Sequence, residues 1–163
     1  MKIIKEFIPY VIIIIVVVLI RTFVITPVMV DGTSMKPTLI NKQILLLKKY
    51  DHSFKRYDII VFNFNAESLV KRVIGLPGEH VKIIDNKVYI NNKEIKDVVD
   101  IKMYDFDLQE LDFSVIPSDH YFVLGDNRSN SVDSRSIGLI SKNDIKGSTS
   151  FSLWPLNRFG TFK

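Results

Sequence analysis

Phe7 through Ile20 carry no charge, and Arg21, Thr22, Phe23 and Val24 follow before the chain breaks into short apolar runs separated by polar turns. Carried to Val24, the first run has 18 positions, near the lower limit of about 17 residues for a helix that crosses the hydrocarbon core of a bilayer. It predicts a transmembrane helix. Pro9 falls near its first turn, where a missing amide is tolerated, and the long side chain of Arg21 can reach the headgroups from the outer end. The later runs are strand-like. Residues 28–30 read as extended, and residues 44–47, 57–64 and 69–74 as buried strands bounded by polar turns. Residues 81–84 and 88–90 alternate about Asp85-Asn86-Lys87 as a hairpin, and residues 121–124 form a strand that ends at Gly125. Residues 96–119 carry seven acids against Lys96 and Lys102, which predicts a solvated excursion.

Composition narrows this picture. The chain has 163 residues, enough for one anchor, residues 1–24, and one domain with a single core, residues 25–163. Phe, Tyr, Ile and Val are abundant, so the second part is expected to be mainly β. The net charge of +4 falls to +2 once Lys2, Lys5, Arg21 and Glu6 are set aside. That is a solvated surface and not a nucleic-acid footprint. The absence of cysteine excludes a disulfide framework, a thiol nucleophile and a thiolate metal site. Lys2 and Lys5 predict a cytoplasmic N-terminus with the bulk of the chain outside the cell. A cleavable secretory signal would share the basic start and apolar stretch, but residues 22–30 offer no small-x-small cleavage pattern.

The chemistry sits in three segments. Ser34 lies 13 residues past Arg21, in a turn entered through Asp31-Gly32-Thr33, and Lys71 follows 37 residues later on an apolar strand. A serine hydroxyl is a weak nucleophile that needs a base, and a lysine serves as one only when neutral. Burial lowers its pKa from about 10.4, each unit corresponding to about 1.4 kcal/mol. Strand alternation puts Lys71 on the face opposite Val70 and Arg72. The third segment is the polar loop from Gly125 to Arg135. Ser131 is able to accept from or donate to the lysine amine without adding charge, while Asp133 with Arg135, and Asp126 with Arg128, would pair and hold the loop as scaffold. Each segment alone also fits a plain turn or a solvated strand. Together, in this order behind an anchor, they predict a Ser/Lys hydrolase. His52, His80 and His120 stand outside all three segments, which counts against a Ser/His/Asp hydrolase.

The motifs Asp31 to Leu39, Arg56 to Phe62, Val70 to Glu79 and Gly125 to Arg135 resemble, in this order, those of the bacterial type I signal peptidases (leader peptidases), in particular the Gram-positive type with a single anchor. The resemblance covers almost the whole chain. It implies a β-sheet, partial-barrel catalytic domain behind a single-pass cell-membrane anchor, an extracellular active site, and removal of signal peptides from exported preproteins without a cofactor or metal. It assigns Ser34 as nucleophile, Lys71 as general base and then acid, and Ser131 as the group that positions the amine. Some members have a second serine two positions before the nucleophile to complete the oxyanion hole; here that position is Gly32. The substrate would add as a strand between the segments before Ser34 and before Lys71. Val28, Val30, Gly32, Met35, Leu39 and Val70 would line pockets for Ala-x-Ala, although core packing accounts for the apolar ones equally well. The partners implied are signal peptides, the lipid bilayer and the export channel. Phe151, Leu153, Trp154, Leu156 and Phe159 either touch the headgroups or pack inside. A tethered binding domain without catalysis and a self-cleaving repressor-type regulator are the rival readings; the latter needs a DNA-reading domain where the chain has its apolar run.

Overall fold

The computed structural model describes residues 2–50, 53–100 and 102–162, with side chains from Phe7 onward. His52 and the Lys2 and Lys5 side chains thus lie outside the described residues. Helix α1 (Lys2–Phe23) leads into twelve strands: β1 (Ile25–Met29), β2 (Ile44–Lys48), β3 (Ile59–Phe64), β4 (Glu67–Gly75), β5 (Val81–Ile84), β6 (Lys87–Ile90), β7 (Lys93–Ile95), β8 (Phe106–Asp107), β9 (His120–Leu124), β10 (Ile140–Ser141), β11 (Ile145–Trp154) and β12 (Gly160–Thr161). The described chain is mainly β, as expected. From Phe7 to Phe23 the large apolar side chains of α1 are exposed on every side. Among the described residues no helix is long and apolar enough to cross a membrane.

The strands form two antiparallel sheets. The larger runs β1-β2-β11-β3-β4-β9-β10 with β12 on β11, and the smaller runs β7-β6-β5-β8. The larger sheet curls so that Thr26 and Val28 of β1 face Ser68 and Val70 of β4 across a groove of about 560 Å³. The hairpin of β5 and β6 closes through Asp85 and Asn86 alone, at φ 51° and 67°, the left-handed pair that matches strand twist in a two-residue turn.

One expectation needs correction, and one strand was not foreseen. The segment 96–119 is not simply solvated. Met103, Phe106, Leu108 and Ile116 are buried in the core of the small sheet, with Ile83, Val88 and Phe122. Its acids are put to use: Asp107 accepts from the Gln109 amide, closing a capping box with Glu110, and pairs with Lys82. Nine acids and bases read by count hid four apolar residues spaced too irregularly to show a period. The strand β11, central in the large sheet, also escapes the apolar pattern because its buried positions include Ser148, Thr149 and Ser152. These small polar side chains have partners that only the folded chain supplies: Gln43 Nε2 donates to Ser152 Oγ at 2.9 Å, and Thr149 Oγ1 donates to the Leu46 carbonyl at 3.0 Å.

Candidate active site

Ser34 stands in the turn that follows β1. Gly32 makes this turn possible with φ 97°, a conformation in which a Cβ is strained, and its N–H donates to Asn41 Oδ1 at 2.9 Å. The turn is held from the other side by Asn127, whose backbone N–H donates to the Ser34 carbonyl at 2.9 Å and whose side-chain amide donates to the Thr33 carbonyl at 3.2 Å. Lys71 comes from the middle of β4, in register with Ile60 of β3. Its Nζ donates to Ser34 Oγ at 2.8 Å and to the Val70 carbonyl at 3.1 Å. The side chain is only 3% exposed. Loss of hydration lowers the Lys71 pKa from 10.5 to about 8, against the opposing pull of the Asp133 and Asp126 carboxylates. At that value a useful fraction of amine is neutral near pH 7 to 8, and the same 2.8 Å separation then lets the serine O–H donate to nitrogen.

The loop after β9 packs behind these two residues through three buried ion pairs. Asp133 pairs with Arg135 at 2.8 Å, as the spacing predicts, and its other interactions matter as much: it accepts the Gly125 amide at 3.0 Å and caps helix α2 (Ser134–Ile137). Asp126 does not pair with Arg128. It takes Arg72 in a bidentate grip, 2.8 Å from Nε and 2.6 Å from Nη2, while Arg128 reaches out of the loop to Asp97, at 2.7 Å from Nη2 with a second bond from Nη1. Neighbours in sequence point to opposite sides of this loop, so proximity along the chain misassigned the partners. Arg72 also donates to the Tyr57 carbonyl at 2.9 Å, which ties the loop to the start of β3. Arg72, Asn127 and Asp97 are the supporting residues that motif reading passed over. For Arg72 the signal was present, an arginine inside an otherwise apolar strand.

Ser131 lies beside the pair without joining it by a direct hydrogen bond, and its Oγ is buried with no partner in the described structure. A Cβ on Gly125 would stand 2.1 Å from that Oγ and 2.6 Å from the Ser34 carbonyl oxygen. Gly125→Ala is therefore expected to push Ser131 and the Ser34 turn apart and to lower turnover at least about 100-fold, the cost of roughly 1 Å of misplacement. An assay on the folded variant checks this.

Of the six apolar and glycine positions expected along a substrate groove, Val28 and Val70 line it, with Met29, Leu47 and Val61. Val30, Met35 and Leu39 are 4%, 2% and 0% exposed and form the cluster beneath it with Leu45 and Ile59. Nothing lies within 4 Å of a Cβ built on Gly32. His80 pairs with Asp107 in the small sheet, and His120 opposes Ser141 at the start of β9; neither has a hydrogen bond to Ser34. At the far end of the large sheet Trp154, Leu156 and Phe159 are exposed, whereas Phe151 packs edge-on against Phe159 at 5.1 Å.

Residues 3–154 match the family described as signal peptidase, peptidase S26. Signal peptidase I of Bacillus amyloliquefaciens is 41% identical over 152 residues, covering 86% of this chain and 82% of that protein. Signal peptidase I S of Bacillus subtilis (strain 168) is 40% identical over 151 residues, covering 85% and 82%. Among solved structures, a signal peptidase I from Enterococcus faecalis V583 superposes with a TM-score of 0.54 at 34% identity, over 59% of this chain and 96% of that one.

Proposed function

The chain belongs to the signal peptidase family of serine peptidases, peptidase S26, and from this premise we propose that it is a membrane-anchored endopeptidase that removes signal peptides from exported preproteins with Ser34 and Lys71 as its dyad. The observation that carries the reading is the 2.8 Å approach of a buried Lys71 amine to Ser34 Oγ. In the proposed cycle neutral Lys71 takes the Ser34 proton as Oγ attacks the scissile carbonyl, and the Ser34 backbone N–H faces the oxyanion that forms. The Lys71 ammonium then passes the proton to the leaving amine. Water, deprotonated by the same amine, then attacks the acyl-serine ester, and the ammonium returns that proton to Ser34 Oγ as the signal peptide leaves with a new C-terminal carboxylate. Gly32 brings no hydroxyl to the oxyanion, and its own N–H is already engaged by Asn41.

The preprotein strand lies in the groove between β1, at the edge of the sheet, and the first half of β4, which pairs with β3 but meets β9 only from Arg72 onward. Val28 and Val70 shape small pockets there for the Ala-x-Ala side chains. Incubation of the full chain with a preprotein is expected to release a mature protein cut after Ala-x-Ala, and a bulky residue in place of the last Ala is expected to stop the cut. Cleavage indifferent to that residue would refute the groove assignment.

α1 is the anchor. Counted from Lys2, so with five residues whose side chains lie outside the described ones, its 22 residues measure about 33 Å at about 1.5 Å per residue, against a hydrocarbon core of about 30 Å. An apolar helix whose described side chains are exposed on every side has lipid as its natural surrounding. Only 13 residues separate Arg21 from Ser34, so the nucleophile is held near the outer face of the bilayer, where an inserted signal peptide presents its scissile bond, and much translational entropy is lost before the encounter. Trp154, Leu156 and Phe159 lie at the headgroups. The full chain is expected to sediment with phospholipid vesicles and to resist salt extraction; release by salt would remove α1 as a spanning helix.

A further inference from the structure

At the Gly125 loop a second cavity, of about 280 Å³, is lined by Arg128, Ser131, Ser129 and Arg135 together with Asp105 and Glu110. Among the described residues three buried side-chain atoms have no hydrogen-bond partner, and two of them, Arg128 Nε and Ser131 Oγ, belong to residues that line this one cavity. Arg128 is 1% exposed, so bulk solvent does not satisfy its Nε–H. A buried guanidinium donor without an acceptor is costly, and a hydroxyl without a partner adds to that.

We propose that this cavity is a water site in which one ordered water accepts the Arg128 Nε–H and donates to Ser131 Oγ, so that Arg128 is a positioning residue for Ser131. The proposal rests on the reading of Ser131 as the group that orients the Lys71 amine. The charges of the site select water. Both arginines already carry carboxylate partners, Asp97 for Arg128 and Asp133 for Arg135, which leaves Asp105 and Glu110 to repel an anion. Those acids in turn accept backbone amides, Asp105 from Asp85 and Glu110 from Asp107, and no group of three metal-ligating side chains is present among the described residues. A water of about 30 Å³ with two or more polar partners fits the inner end of such a space. Held in this way, the Ser131 hydroxyl keeps one orientation, against Gly125 and the Ser34 turn, and the catalytic loop does not exchange one hydroxyl rotamer for another during turnover.

The test uses the full chain in detergent, with wild type, Arg128→Lys and Ser34→Ala assayed side by side on a preprotein. Lysine keeps a positive charge for Asp97 but has no N–H at the Nε position, so kcat is expected to fall about tenfold with KM unchanged and the fold intact by circular dichroism. Wild-type kcat in Arg128→Lys beside an inactive Ser34→Ala overturns the water site and leaves the dyad standing, whereas an active Ser34→Ala refutes the dyad itself. A fall in kcat accompanied by a rise in KM would mean general loosening of the loop and also counts against the proposal. Should Arg128→Lys not fold, a high-resolution crystal structure of the wild type decides: water density within about 3.2 Å of both atoms supports the site, and an unfilled cavity or a Ser131 Oγ bonded directly to protein overturns it.

Discussion

Lys71→Met is expected to abolish cleavage, by about 10⁴-fold or more, and at the same time to make the protein more stable at pH 7. The first effect follows from the loss of the base that frees the Ser34 oxygen. The second follows from what it costs to bury that group while it is largely charged. The native pKa is about 8 against 10.5 for the unfolded chain, so below pH 8 folding must bury a group that water would rather keep charged. The difference of about 2.5 units corresponds to about 3 kcal/mol, of which the hydrogen bond lost to Ser34 takes back about 1 kcal/mol. A gain of about 2 kcal/mol remains. The sign has a clear pH dependence: between about pH 8 and 10.5 the unfolded chain binds more protons than the native one, wild-type stability rises with pH, and the advantage of methionine shrinks. Denaturant unfolding of both proteins at pH 7 and pH 10 measures this. A variant less stable than wild type at pH 7 would mean that burial of Lys71 carries no such penalty. Ser34→Ala is expected to match the loss of activity without the gain in stability.

Asp126→Ala is expected to destabilise the protein by about 3–5 kcal/mol, because it leaves Arg72 charged and buried without its carboxylate. Arg72 and Asp126 are 1% and 0% exposed in their side chains, and the two remaining acceptors of the guanidinium, the Tyr57 carbonyl and Thr38 Oγ1, carry no charge. The pair between Lys42 and Asp31 makes the contrast. Its partners are 59% and 81% exposed, and such pairs contribute about 0–1 kcal/mol, so Asp31→Ala should hardly move the unfolding midpoint. If the two substitutions cost the same, the Arg72 pair is not holding the catalytic loop. Asp126 has a second role, since its charge raises the Lys71 pKa; in whatever fraction of Asp126→Ala remains folded, turnover should shift to lower pH.

What could be read from the sequence was chiefly what local chemistry dictates. The strands at residues 44–47 and 121–124 lie inside β2 and β9, and the Asp-Asn hairpin formed as read, because continuous apolar runs and turn residues constrain the backbone where they stand. Ser34 and Lys71, 37 residues apart in sequence, were brought together by their chemistry and order and by family resemblance, since no periodicity links a turn after β1 with the middle of β4. The failures have one cause. β11 buries hydroxyls that look like surface residues until Gln43, just before β2, and Leu46 of β2 arrive to bond them. Arg72, Arg128 and Asp97 were hidden in the same way, because long charged side chains choose partners across the fold and not along the chain. Val30, Met35 and Leu39, which the sequence left open between groove and core, form a packed cluster with Leu45 and Ile59, a difference of depth that apolar character alone does not encode.

The pH dependence of kcat/KM for preprotein cleavage tests the central claim most directly, because it reports the ionisation of the base in the free enzyme. An unprotonated Lys71 as base requires activity to rise with pH through a single ionisation near 8, and Asp133→Asn, which removes a charge that holds the proton on, should move that midpoint lower. A rise centred near pH 6.5 would make a histidine the base, and one near pH 10.5 would mean an ordinary, hydrated lysine; either result contradicts the account.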